Sequence, residues 1–183
     1  MIILVGGSSH VGKTYIAQKL MEKYRYPYIS LDHLKMGFIR TGMTELTVED
    51  DYEMRYFLWP YAAEIIKTAI ENKQNLIIEG CYIPKEWKDS FDDEYLRDIR
   101  CMFIVMSESY IRNRWDDIVG FANVIEGRID DDVDMDRLIM CSRNFKQDCM
   151  ENNTDFYEID SDYDTDDIIN NFTLLLSDAS VRC

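Results

Sequence analysis

Apolar runs and amphipathic segments alternate along the chain. Residues 2–5 form an uninterrupted apolar run, as expected for a strand that is buried on both faces. Four further strands are predicted over residues 27–30, 75–79, 101–106 and 155–159. Between these runs, apolar residues recur at helical spacing, beginning with Ile16, Ala17 and Leu20. The β-α-β-α order predicts an α/β fold with a parallel sheet and helices on both of its faces.

The helical patterns include one long helix and one irregular region. The longest pattern begins near Thr47, which has the spacing of a capping box to Asp50. Pro60 lies inside this pattern and is expected to kink or interrupt the helix. After the fourth strand, residues 115–132 resemble a loop or mobile flap, and a helix is predicted over about residues 133–150. A closing amphipathic helix follows the last strand.

Length, charge and cysteine content narrow the class of protein. A chain of 183 residues predicts a single domain. Its formal net charge of -15 argues against a general nucleic-acid or anionic-membrane binder, because phosphate backbones require a basic face. We find no apolar stretch as long as a transmembrane helix and no basic segment of a signal peptide. The five cysteines are widely spread and contain no C-x-x-C pair, so we expect a cytoplasmic protein.

The segment between the first strand and the first helix, residues 7–14, carries the strongest chemical signal; we call it the glycine loop. It reads Gly7-Ser8-Ser9-His10-Val11-Gly12-Lys13-Thr14, which fits G-x-x-x-x-G-K-[ST] in the required strand–loop–helix context. Such a loop turns its backbone N–H groups toward an anion, and the helix adds the positive end of its dipole. Lys13 is expected to reach the β- and γ-phosphates of a nucleotide, and the Thr14 hydroxyl to ligate Mg²⁺. The alternative is a glycine-rich turn that contains Lys-Thr by chance.

Two carboxylates are expected at the sheet edge where ligands of open α/β folds gather. Glu79 ends the third strand and is a candidate to hold a Mg²⁺-bound water or to orient the acceptor, the alternative being a solvent-facing strand end. Asp32 follows the second strand and is a candidate to accept a proton from an acceptor hydroxyl, to orient it, or to cap the next helix. Lys35 and Arg40 lie close by and are candidates to meet an anionic acceptor.

Arginines concentrate in the long segment after the fourth strand. A guanidinium group suits the charge that phosphoryl transfer spreads over three equatorial oxygens. Arg112 and Arg114 follow the fourth strand on a predicted short helix, and Arg128 lies in the predicted flap. We therefore take these three as candidate catalytic residues, with solvation of a helix face as the alternative. Closure of the flap would exclude water as a competing acceptor.

Three stretches, GGSSHVGKT, YISLDHLKMG and IIEGCYIP, resemble the P-loop kinase group that contains adenylate kinase, and within it 2-phosphoglycerate kinase-like and zeta-toxin-like proteins. The resemblance implies a three-layer fold with a five-stranded parallel sheet, the loop strand near its centre and a helical LID. It also implies ATP and Mg²⁺, with Lys13 and Thr14 at the phosphates and metal. By the same resemblance Asp32 serves the acceptor and Glu79 is the second acidic residue. One departure is the absence of arginine where nucleoside-monophosphate kinases have Asp-Gly-aromatic-Pro-Arg after the third strand.

Motif and resemblance together predict an ATP-dependent phosphotransferase that moves the γ-phosphoryl group to a small-molecule acceptor. We expect the acceptor group to be a hydroxyl. Residues 1–183 form one kinase domain in this interpretation, with acceptor-binding helices at about 31–72 and a LID at about 107–150. The alternatives are an adenylate or nucleoside-monophosphate kinase and, from another class, a non-catalytic nucleotide-binding regulator. Nucleic acids and membranes are not expected as partners, and monomer and dimer both stay open.

Overall fold

The computed structural model describes residues 1–121 and 134–177, and all five predicted strands are present in it. The strands are β1 (Ile2–Gly7), β2 (Tyr28–Ser30), β3 (Leu76–Glu79), β4 (Ile99–Met106) and β5 (Phe156–Ile159). They form one sheet in the order β2-β3-β1-β4-β5, and every neighbouring pair is parallel. The predicted α/β class and five-stranded parallel sheet are therefore confirmed, with β1 at the centre.

The connections between strands are helical. Within the described ranges the α-helices are α1 (Lys13–Tyr24), α2 (Leu31–Arg40), α3 (Asp51–Glu71), α4 (Asp93–Leu96), α5 (Glu108–Asn113), α6 (Trp115–Phe121), α7 (Met135–Glu151) and α8 (Thr165–Ser177). A short 3₁₀ helix, Trp87–Ser90, lies between β3 and α4. None of the helices in this part of the chain is both long and apolar enough to span a membrane.

Each face of the sheet is covered by its own apolar cluster. Successive residues of β1 point to opposite faces, so Ile2 and Leu4 belong to one cluster and Ile3 and Val5 to the other. All four side chains are completely buried. The first cluster includes the apolar face of α3, and the second includes those of α1 and α8. A central strand covered on both faces requires the uninterrupted apolar run seen in the sequence.

The long helix α3 differs from its prediction at its start and at Pro60. Both the N–H and the hydroxyl of Thr47 donate to Oδ2 of Asp50, at 2.7 and 2.8 Å, but the helix begins only after this pair, at Asp51. Pro60 lies inside the helix, so the expected interruption is wrong. Proline removes the partner of the Tyr56 carbonyl group four residues earlier. Because both residues are exposed, water can hydrate that carbonyl and the helix continues.

The segment after β4 is more helical than the sequence suggested. A loop is wrong for residues 115–121, which form α6 and bury Ile118. The rest of the predicted flap, with Arg128, lies outside the described residues. The helix predicted over residues 133–150 corresponds to α7, and the Asp134 side chain caps its first turn. The division of the chain into acceptor helices and a LID stays a prediction.

Candidate functional site

The glycine loop leaves the carboxyl end of the central strand and turns tightly against β4. The backbone φ angles are +134° at Gly7, +61° at His10 and +79° at Gly12. A Cβ atom on Gly7 would lie only 2.0 Å from the carbonyl oxygen of Ile104. Ser9 and His10 form the turn itself. Glycine at position 7 is therefore required by both the φ angle and the close approach to β4.

The end of the loop is the start of α1. This helix begins at Lys13, directly after Gly12, and no side chain caps its first turn. The first backbone N–H groups of an α-helix have no acceptor within the helix. Together with the helix dipole they form a site suited to an anion, at the place where the sequence predicted phosphate.

The Lys13 ammonium group lies over the glycine loop. Its Nζ atom donates to the carbonyl oxygen of Ser8 at 2.8 Å, and the residue is 8% exposed. The bond partner is a neutral carbonyl group, so the positive charge stays available to a phosphate group. Lys13 is therefore in direct contact with the backbone of the glycine loop.

Thr14 and Glu79, which the sequence places 65 residues apart, meet at the carboxyl edge of the sheet. The Thr14 hydroxyl donates to Oε1 of Glu79 at 3.3 Å, and Glu79 is completely buried. The pairing of β3 with β1 causes this contact, because Glu79 is opposite Val5 and the glycine loop starts two residues later. A solvent-facing Glu79, the alternative considered above, is wrong. These oxygens are ligands that Mg²⁺ prefers.

A Mg²⁺ ion at this place would have few protein ligands. Across residues 1–121 and 134–177, no three His, Cys, Asp or Glu side chains gather as a metal site. Mg²⁺ keeps several waters and is commonly bound through one or two protein oxygens and the phosphates of its nucleotide. The donor set of Thr14 and Glu79 fits that mode of binding.

Ser142 of α7 connects the glycine loop to the end of β4, and the sequence analysis missed it. Its Oγ atom lies 3.3 Å from Oγ of Ser8 and accepts a hydrogen bond from the Met106 backbone N–H at 2.7 Å. Both serines are at most 1% exposed. A polar residue on the buried face of an otherwise apolar helix pattern was the available signal. This contact joins α7 directly to the loop.

Tyr163, also missed, holds the other end of the glycine loop. Its hydroxyl donates to the Val11 carbonyl oxygen at 3.2 Å. Burial raises the pKa of Tyr163, so the phenol stays protonated and can donate. A Cβ atom on Gly12 would lie 2.3 Å from the same hydroxyl oxygen. In the sequence Tyr163 stands in an Asp-rich stretch after β5, where nothing distinguishes it from a solvated residue.

We expect Gly12→Ala to lower the free energy of unfolding by about 1–2 kcal/mol, because an L-residue is strained at positive φ. The new methyl group must also displace Tyr163. Tyr163→Phe should lower the free energy of unfolding less in the Gly12→Ala variant than in the parent protein, since the two changes affect one contact. Denaturant unfolding of the double-mutant cycle measures this, and strictly additive losses would contradict it. Gly37→Ala, in α2 with nothing within 4 Å, is the control that should not destabilise.

Asp32 lies in the first turn of α2 but does not cap the helix. Ser30 occupies the N-cap position, so the capping role considered for Asp32 is wrong. The start of α2 packs closely on the end of β3, since a Cβ atom on Gly80 would lie 2.8 Å from Cβ of Leu31. Asp32 is half-buried there, at the carboxyl edge of the sheet as predicted.

Four charged side chains act on the thiol of Cys81, which follows β3. The pKa of Cys81 is raised to about 11, mainly by burial; Asp32 and Asp51 contribute to the increase, whereas Lys13 and Arg55 oppose it. Charged side chains of the glycine loop, α2 and α3 therefore lie near one another at the end of β3. We call the place around these four side chains and Cys81 the cleft. The thiol stays protonated near neutral pH, so Cys81 lines this cleft without acting as a nucleophile.

The two predicted catalytic arginines within the described residues are held by carboxylates. Arg112 pairs with Glu108 at 2.9 Å, and Arg114 pairs with Asp162 at 2.9 Å. Both arginines are exposed. Over the described ranges, neither forms a hydrogen bond or ion pair with the glycine loop.

Arg55 of α3 is a further cation of the cleft that sequence reasoning did not select. Its guanidinium carbon lies 5.1 Å from the centre of the Phe145 ring, in the arrangement of a cation–π contact. Its Nε atom is buried and finds no hydrogen-bond partner among the described residues. Arg137, at the start of α7, lowers the pKa of Asp51 and so is a second cation near the cleft. In the sequence, nothing distinguishes Arg55 and Arg137 from the other charged residues of the predicted helices.

The fold is shared with solved structures of low sequence identity. A sugar kinase from Janibacter sp. matches with a TM-score of 0.60 and 16% identity, over 96% of this chain and 94% of that chain. A gluconokinase from Sinorhizobium meliloti matches with a TM-score of 0.54 and 16% identity, over 96% and 90%. A shikimate kinase from Bacteroides thetaiotaomicron matches with a TM-score of 0.55 and 14% identity, over 97% and 98%.

Sequence comparisons found no match. No protein-family model matches the chain, and no curated protein sequence does. At identities of 14–16%, the structural matches establish architecture. The five-stranded parallel sheet and the central position of the strand that precedes the glycine loop agree with the resemblance seen in the sequence. The chain therefore has the fold of the P-loop small-molecule kinases.

Proposed function

We propose that this protein is an ATP-dependent phosphotransferase that moves the γ-phosphoryl group of Mg-ATP to a hydroxyl group of a small molecule. The observation that carries the proposal is the convergence of Lys13, Thr14 and Glu79 at the end of the central strands. A glycine-rich turn of purely structural use would not need a buried carboxylate beside its threonine. The names of the structural matches support the same class of reaction.

On the donor side, the loop N–H groups and Lys13 bind the phosphates. The ammonium group exchanges its bond to the Ser8 carbonyl for the β- and γ-phosphate oxygens. Thr14 and Glu79 would hold Mg²⁺, which when bound would neutralise negative charge on the phosphate groups. Gly7, Ser8, Ser9, His10, Val11 and Gly12 shape the nucleotide site around them.

On the acceptor side, Asp32 orients the hydroxyl group and accepts its proton. A bond forms between the acceptor oxygen and the γ-phosphorus, and the bond from that phosphorus to the bridging oxygen breaks, which leaves ADP. Arg112, Arg114 and Arg128 remain candidates to neutralise charge on the group in transfer. For Arg112 and Arg114 this requires that they leave Glu108 and Asp162.

The decisive experiment is acceptor-dependent release of ADP. The purified protein is incubated with Mg-ATP and one compound at a time: gluconate, shikimate, neutral sugars and AMP. We expect ADP release above the background without acceptor for at least one hydroxyl compound, and none with AMP, since the arginine after β3 is missing. Tight binding of ATP without release in any mixture would favour the nucleotide-binding regulator instead.

We expect Arg55→Met to raise the KM for an anionic acceptor about tenfold, because a charged hydrogen bond to a partly buried group contributes about 1.5–3 kcal/mol. The KM for ATP should not change. Arg97→Met removes an exposed arginine outside the cleft and is the matched control. Equal KM values for gluconate or shikimate in the two variants would remove Arg55 from the acceptor site.

A further inference from the structure

A polar network that is buried at Lys35 and Tyr82 and exposed at Asp51 lies on the acceptor side of the cleft and joins α2, α3 and the segment after β3. The Lys35 ammonium group donates to the Tyr82 hydroxyl at 2.6 Å, to Oδ1 of Asp51 at 2.9 Å and to the Val48 carbonyl at 3.1 Å. The Tyr82 hydroxyl donates to the same oxygen of Asp51 at 2.7 Å. Lys35 and Tyr82 are only 6% and 2% exposed. We call Lys35, Asp51 and Tyr82 the acceptor brace.

The hydrogen-bond donors of the acceptor brace all have partners within the protein. All three N–H donors of Lys35 have partners, and the Tyr82 hydroxyl both accepts and donates. Burial raises the pKa of Tyr82, so its hydroxyl stays protonated. Burial alone would raise the pKa of Asp51, but hydrogen bonds from Lys35 and Tyr82 outweigh it and the pKa is lowered. The brace therefore holds one positive and one negative charge, and Lys35 is not the free cation that the sequence suggested for an anionic acceptor.

We propose that the acceptor brace positions Asp32 for the acceptor hydroxyl by fixing α2 against the end of β3 and the start of α3. Asp32 stands three residues before Lys35, so the two lie on neighbouring positions of one helix face. The close packing of Leu31 on Gly80 fixes the same end of α2. This inference rests on the proposed function, because it gives the brace a role in acceptor binding.

The chemistry of the brace favours positioning over simple stabilisation. The ion pair of Lys35 with the half-exposed Asp51 adds little net stability, because solvent screens the exposed carboxylate and burial of the ammonium group costs desolvation. Its hydrogen bonds, however, have narrow limits of distance and angle, so they allow one arrangement of the joined elements. Lys35, Asp51 and Tyr82 come from three separate segments. Lys35 is three residues after Asp32, Tyr82 directly follows Cys81, and the charge of Asp51 acts on the Cys81 thiol.

Tyr82→Phe tests the proposal, because it keeps the ring and removes both hydrogen bonds of the hydroxyl. We expect hydrogen exchange of the α2 amides to accelerate about tenfold, as for loss of one to two hydrogen bonds, with no change in the glycine loop. The KM for the acceptor that is turned over should rise while the KM for ATP stays the same. The matched control is Tyr95→Phe, which removes a Tyr–carboxylate bond of 2.7 Å to Glu71 at the opposite end of α3.

Each outcome decides the proposal. Faster exchange confined to α2 and the start of α3, with a higher acceptor KM, supports it; exchange that rises everywhere, or values equal to those of Tyr95→Phe, overturns it. If Tyr82→Phe does not fold, Asp51→Asn is the second variant. It removes the negative charge of the brace and keeps the size of the side chain, and the same readouts apply. Hydrogen exchange needs no turnover, so a failure of the proposed function, seen as no ADP release from any mixture, is distinguishable from a failure of the brace.

Discussion

Lys13→Ala should reduce acceptor-dependent ADP release by roughly a thousandfold or more, about 4 kcal/mol of transition-state stabilisation. The ammonium group is the cation of the glycine loop itself, and its bond to the Ser8 carbonyl shows that it lies over the loop. Loss of that one bond should cost only about 1 kcal/mol of folding free energy. The variant is therefore expected to fold normally and to be inactive.

The measurement is steady-state ADP release together with thermal unfolding of the same preparations. Lys19→Ala is the matched control, since Lys19 lies on the same helix but pairs with Glu22 in solvent. Normal turnover by Lys13→Ala would reject the assignment of the donor site. Inactivity of both variants would point to damage of α1 as a whole.

Glu79→Gln should lower kcat by roughly a hundredfold and shift the Mg²⁺ dependence of the reaction to higher concentration. The change keeps the size of a completely buried side chain and removes its negative charge beside Thr14. A neutral amide is a weaker partner for a divalent cation or its bound water. Thermal unfolding shows whether the variant is folded.

Titration of activity with Mg²⁺ separates this effect from simple loss of structure. Glu158→Gln is the control, because Glu158 lies near the end of β5 and pairs with Lys146 at 2.6 Å. We expect its Mg²⁺ dependence to be that of the parent protein. A Glu79→Gln enzyme with the parent's Mg²⁺ dependence and kcat would assign Glu79 a structural role only.

The placement of Thr14 and Glu79 at one edge of the sheet was predictable, because parallel strands all end at the same edge. Their direct contact was not predictable, because it depends on the pairing of β1 with β3, which puts Val5 opposite Glu79. Consecutive strands are the usual neighbours in such sheets, and the residue pattern does not show that β3 rather than β2 lies beside β1. Local pattern and sheet geometry therefore give the edge but not the partner.

The contacts of the charged helical residues could not be predicted in the same way. Arg112 and Lys35 both stood beside an expected ligand edge, but Glu108 pairs with the first and Asp51 with the second. Partner choice among charged side chains depends on the packing of α2, α3 and α5, which a residue pattern does not contain. The sequence contains 35 acidic residues that could pair with a basic side chain. The position of a basic residue in the sequence therefore does not show whether it forms an ion pair within the fold.

Interruptions of regular structure were also misjudged for a physical reason. Pro60 does not end α3. Both Pro60 and Tyr56 are exposed, so water can hydrate the carbonyl group that has lost its partner. The helix packs through Met54, Leu58 and Ile66 on the other side. Tertiary packing over 21 residues outweighs the local loss of one hydrogen bond. Residues 115–121 likewise form a helix because Ile118 is buried against the apolar cluster around α1.

The central claim is that the glycine loop binds the triphosphate of a nucleotide, and calorimetric titration of the protein with Mg-ATP tests it most directly. We expect binding of one Mg-ATP per chain, strongly weakened in Lys13→Ala and unchanged in Lys19→Ala. Absence of any binding to the parent protein, or equal affinity in Lys13→Ala, would contradict it.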